Sequence, residues 1–118
     1  EVRGGEVLDL LAALNTGHEG GCSTVHANRA EHLPARIESL CGQAGVSRTA
    51  AHSLLAAAVD VVLHLARGRD GRRRMAGLAV LSVGTDGLAS VNAAYLFHPD
   101  GVTRGPAAEV LEARMASR

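Results

Sequence analysis

Apolar positions between Gly5 and Asn15 recur at three- and four-residue intervals. Val7, Leu8, Leu10, Leu11 and Leu14 make one broad face, the spacing of an amphipathic helix. Thr16-Gly17 predicts its end, because glycine is the usual residue for a left-handed C-terminal cap. A short strand fits Cys22 to Ala27, bounded by Gly20-Gly21 and Asn28. A second helix is predicted from Ala30 to Cys41. Glu31, Leu33, Ile37 and Leu40 give it two faces, and Pro34 is tolerable only in its first turn. Gly42 to Gly45 breaks the chain. Ser47 reads as the N-cap of a third helix running to about Ala58.

The period changes at Val59. "VDVVLHLAR" is a β-branched, strand-like run, and Asp70-Gly71 within "GRDGRR" is a hairpin signal. "RMAGLAVLSV" and "LASVNAAYLF" read as two further strands, joined through Gly84 to Gly87. A final helix is expected from Pro106 to Arg118, opened by the proline. The predicted order is helical first, then an antiparallel meander.

Composition narrows the chemistry. With 118 residues and 47% hydrophobic content, the chain can bury one small core or belong to a larger one. Aromatic content is 2%, only Tyr95 and Phe97, so the core must be aliphatic and base-stacking platforms are excluded. All twelve basic residues are arginine. Without lysine, Schiff-base chemistry and a phosphate-loop lysine are both impossible within the chain. Formal net charge is zero, so composition supplies no general pull toward nucleic acid. Cys22 and Cys41 form no CxxC pair and read as two buried thiols. No apolar run reaches the ~20 residues of a membrane span.

Candidate chemistry concentrates at the start of the chain. His18 and His26 stand eight residues apart, with Cys22 midway. Three readings fit. His18, Cys22 and His26 could ligate a metal as H-x3-C-x3-H, although a glycine-rich turn and a strand separate them. His26, beside Thr24 at a strand end, could donate to a phosphoryl oxygen, since open α/β sheets place ligands beyond strand ends. Or both histidines are simply satisfied at element ends, where a helix C-terminus favours the cationic form. Glu1, if it follows an apolar strand, could orient water for attack on phosphorus.

The ordered set "EVRGGEVLDLLAALNTGHEGGCSTVHAN" resembles the type II and type IV secretion (traffic) ATPases. That family has a Walker B strand ending in G-E-[VM]-R, a helix, T-G-H, and a strand ending T-[LVI]-H, the His box. The matching residues are Glu1-Val2-Arg3, Thr16-Gly17-His18 and Thr24-Val25-His26. The histidine spacing and Ala27-Asn28 look most like the CpaF-like Tad/Flp pilus branch. "ARIESL" and "AAAVDVVLHLARGRDGRRRM" extend the resemblance to about Leu81.

The resemblance implies a RecA-like α/β P-loop ATPase core with an antiparallel β-hairpin extension, working as a hexameric ring. It implies ATP and Mg²⁺ as cofactors, with Glu1 as the catalytic Walker B glutamate holding Mg²⁺ through water. It implies His26 as a γ-phosphate sensor, with His18, Thr24 and Arg3 supporting the nucleotide site. An inner-membrane platform protein is the implied partner. The implied location is cytoplasmic, peripheral to the inner face of the membrane.

The phosphate loop G-x-x-x-x-G-K-[ST] is absent from these 118 residues. Residues 1–118 are therefore expected to be the C-terminal portion of a longer secretion ATPase, without its Walker A loop or N-terminal domain. Such a portion is expected to be inactive alone. A type IV secretion or conjugation ATPase is the alternative within the class. A non-catalytic oligomerisation or regulatory module is the alternative outside it. Arg67, Arg69, Arg72, Arg73 and Arg74 form a basic hairpin. A nucleic-acid or anionic-lipid contact is one reading, and a membrane-bound platform protein another. Zero net charge and the lack of interleaved aromatics favour a solvated turn that also neutralises acids of a neighbouring subunit.

Overall fold

The computed structural model describes residues 4–15 and 21–117. α1 (Glu6–Asn15) forms where the apolar stripe predicts it and buries Val7 and Leu11. The second predicted helix is divided. A 3-10 turn covers Ala30–His32, and α2 (Leu33–Gln43) follows with Pro34 in its first turn. Proline has no N–H to give, so it costs α2 nothing in the first turn, where that donor would have no acceptor within the helix. α3 (Arg48–Ala58) begins as expected: the Ser47 hydroxyl accepts the Ala50 N–H at 3.2 Å.

Four strands follow as one antiparallel meander. β1 (Val61–Arg67), β2 (Arg73–Val83), β3 (Ala89–His98) and β4 (Gly101–Arg104) lie in the order β1-β2-β3-β4. The first three match the sequence pattern; β4 is an addition to it. The turn between β1 and β2 places Gly71 at φ +78°, in the left-handed region, just after Asp70. The turn between β2 and β3 does the same at Gly87, φ +79°. α4 (Ala108–Ala116) closes the fold, starting two residues after Pro106.

Two small cores lie on opposite faces of the sheet. On one face Ala79, Leu81, Ala89 and Val91 meet Val7, Leu11, Ile37, Leu40, Cys41, Ala51 and Leu55 from the three N-terminal helices. On the other, Val80 and Ala94 pack under Ala107 and Leu111 at the start of α4, flanked by Leu78 and Tyr95. Both cores are aliphatic, as composition required. The strand alternation explains the division: consecutive residues of β2, Ala79 and Val80, point to opposite faces. All strand pairings described are antiparallel. The fold is thus mixed helix and antiparallel sheet.

Candidate functional site

The segment that carries Thr24 and His26 is anchored by one side chain. Val25 is half-buried against the helical core, while Thr24 and His26 are exposed. The predicted strand Cys22 to Ala27 shortens to a single bridged residue, Val25. The reason is local: between the paired glycines and Asn28, only Val25 is a large apolar residue able to hold the sheet-like conformation against the core. Among the described residues, neither the Thr24 hydroxyl nor the His26 ring has a hydrogen-bond partner, and both residues are exposed. Glu1, Arg3 and His18, the other expected site residues, lie outside the described residues.

One sequence expectation changes here. Cys22 is exposed and only Cys41 is buried, because Cys41 sits on the core face of α2 whereas Cys22 lies in the irregular segment. Burial pushes the Cys41 thiol above its ordinary range. Among the described residues no three His, Cys, Asp or Glu side chains are grouped to hold a metal. The H-x3-C-x3-H reading depends on His18, outside the described residues.

A polar network that sequence motifs did not reveal ties α2, α3 and β3 together. His52 on α3 is 5% exposed. Its Nε2 lies 2.8 Å from Glu38 Oε1, and its Nδ1 accepts the Ala89 N–H at 2.9 Å. A backbone N–H can only donate, so Nδ1 carries no proton and Nε2 donates to the carboxylate. Arg48 Nε also donates to Glu38 Oε1 at 3.0 Å. These bonds, from His52 first, hold the Glu38 carboxyl below its usual pKa. The available sequence signal was His52's position on the same stripe as Ala51 and Leu55, which are both buried.

A second network fastens α4 to the other face. Glu112 Oε2 accepts the Tyr95 hydroxyl at 2.7 Å and Arg104 Nη1 at 2.6 Å. Arg104, then Tyr95, draws the Glu112 carboxyl below its ordinary value. The same carboxylate raises Tyr95 and Arg104. Both networks are structural ties; neither borders the Thr24–His26 segment in the hydrogen bonds they make.

Of the expected nucleotide-site residues, Thr24 and His26 are the two among the described residues. A Thr hydroxyl and a His ring N–H are donors that could contact phosphate oxygens. No lysine exists to meet the β- and γ-phosphates, and the one side-chain N-cap described, Ser47, is occupied by its own helix. The main phosphate contacts would therefore come from groups other than the described residues.

A family model, "Type II/IV secretion system protein", matches residues 1–104. The chain belongs to that family. The "Putative conjugal transfer protein" of Mycobacterium tuberculosis (strain H37Rv) is 65% identical over 81 residues, 69% of this chain and 23% of its own length. "Conjugal transfer protein TrbB" of Rhizobium radiobacter is 41% identical over 73 residues, 62% of this chain and 22% of its own. "Type IV secretion system protein PtlH" of Bordetella pertussis is 37% identical over 81 residues, 64% of this chain and 24% of its own. The chain thus spans about a quarter of the length of the curated relatives it matches. No described helix is long and apolar enough to cross a membrane.

Proposed function

We propose that the protein containing this chain is an ATPase motor of the secretion class, hydrolysing ATP with Mg²⁺ to drive transport or pilus assembly. The observation that carries the reading is the family match over residues 1–104, which takes in every residue of the His-box stretch. In this reading the chain is the C-terminal part of a RecA-like core, and copies assemble into a hexameric ring on an inner-membrane platform protein. Glu1 orients the attacking water and holds Mg²⁺ through water. His26 reports the γ-phosphate, supported by Thr24, His18 and Arg3. The exposure of Thr24 and His26 on either side of half-buried Val25 supports the last assignment.

For the transported cargo, the histidine spacing and Ala27-Asn28 support Tad/Flp-type pilus assembly. A type IV secretion or conjugation duty is the second reading, favoured by the names of the three relatives.

The test is ATP turnover by the full-length protein. Glu1→Gln should lower kcat by roughly a hundredfold or more, in the range of general-base losses. His26→Ala should lower kcat with nucleotide binding largely kept. Near-normal turnover in both variants would overturn the site assignment. Absence of turnover in the full-length wild type, assembled as a ring, would overturn the ATPase reading itself.

A further inference from the structure

The β1–β2 hairpin exposes five arginines within eight residues: Arg67, Arg69, Arg72, Arg73 and Arg74. Among the described residues none of them is in an ion pair. Asp70, the acid in their midst, accepts the Arg72 backbone N–H at 3.0 Å and closes the turn. Arg67 and Arg73 are direct cross-strand partners. Like charges directly opposite one another repel and weaken a hairpin. An anion placed between the two guanidinium groups would reverse that sign and match their planar donor geometry.

The same face continues inward as aliphatic surface. Leu65 pairs with Met75 across the hairpin, and Leu63 stands two residues further along β1. Their exposures are 53%, 41% and 58%. α4 covers this face only further on, over Leu78 and Val80. Its last turn reaches Arg114 Nη1 to the Asp60 carbonyl at 3.3 Å, at the opposite end of β1 from the arginines. The hairpin end of the sheet is therefore guanidinium at the tip and uncovered hydrocarbon behind it.

We infer that this hairpin docks on an anionic bilayer. Arg67 and Arg73 bracket a lipid phosphate, the other three arginines add attraction along the surface, and Leu63, Leu65 and Met75 enter the interface beneath the headgroups. Charge complementarity selects the occupant, and the adjoining aliphatic residues separate it from nucleic acid. A duplex backbone gains nothing from Leu65 and Met75, and a single strand needs stacking rings that the hairpin lacks. The inference rests on the proposed function only in taking the protein to work at a membrane.

Vesicle co-sedimentation of the 118-residue chain tests it, with phosphatidylglycerol-rich and pure phosphatidylcholine vesicles compared. The chain should partition to the anionic vesicles roughly tenfold or more above the neutral ones, and added salt should weaken binding. Arg67→Glu with Arg73→Glu should lower anionic-vesicle binding by roughly tenfold or more. Leu65→Ser with Met75→Ser should lower it by about severalfold with the salt dependence kept. Circular dichroism checks that each exposed pair leaves the fold intact, and Arg29→Glu, away from the hairpin, should bind as wild type.

Equal binding to both vesicles, no salt dependence in the wild-type chain, or wild-type binding by both double variants would each overturn the inference. So would a DNA duplex displacing the vesicles while the Leu65 and Met75 substitutions have no effect. ATP turnover of the full-length protein is read separately, so either proposal can fail without the other.

Discussion

His52 and Glu38 are joined by a 2.8 Å hydrogen bond between α3 and α2, and the far side of the same imidazole receives the Ala89 N–H of β3. One buried ring therefore satisfies three elements at once. His52→Ala would leave the Ala89 N–H without its acceptor and open a small cavity. The expected loss is ~2–3 kcal/mol of unfolding free energy, read from urea denaturation. A loss within experimental error would show that the three elements hold together without the ring.

Glu38 supplies a pH dependence whose direction is determined. Its folded pKa lies below the ordinary carboxylate value of 4.5, through the His52 bond first and Arg48 second. The folded state thus binds the proton less tightly than the unfolded state. The resulting stabilisation is complete above 4.5 and is lost as pH falls through the lower folded value. Denaturation midpoints of the wild type should fall on acidification below that point. The difference between wild type and Glu38→Gln should shrink over the same range. A difference that stays constant or grows on acidification would contradict the assignment.

Tyr95 is the chain's single tyrosine, so its phenol titrates alone in the ultraviolet. The hydrogen bond to Glu112 keeps its proton and raises its pKa above 10.0; the Arg104 charge opposes this more weakly. Glu112→Ala should shift the titration downward. An unmoved midpoint would mean that the carboxylate and phenol are apart in solution.

Gly105 lies where β4 hands over to α4, and its N–H donates to the Ala94 carbonyl at 2.8 Å. A Cβ there would collide with the Ala93 backbone carbonyl. Gly105→Ala should push α4 off the second core and cost about 1–3 kcal/mol. Because α4 also carries Glu112, the Tyr95 titration should move in this variant as well. Wild-type stability together with an unchanged titration would show that the contact is looser than the geometry indicates.

Much of the architecture is legible in short stretches of sequence. The stripe in α1, the Ser47 cap of α3, the period change at Val59 and the Asp-Gly turn are signals carried by a few neighbouring residues. Helices and hairpins are built on that scale. The Thr24–His26 motif is legible for the same reason, as a short ordered pattern. The length of its strand is not, because a single large apolar anchor, Val25, does not sustain a ladder.

Tertiary structure alone decided the rest. β4 is four exposed residues with no alternation to read, and it forms because the edge of β3 offers unpaired backbone groups. Glu38 meets His52 across 14 residues of sequence, Ala89 meets it across 37, and Tyr95 meets Glu112 across 17. No local period encodes such meetings. They follow from packing helices on both faces of one sheet, where burying His52 and half-burying Tyr95 leaves each polar atom to find a partner within reach. The sequence by itself determined the main helices, the first three strands of the meander, their order and the motif that places the chain in its family. The fold determined which polar groups answer one another, and which arginines are left facing outward.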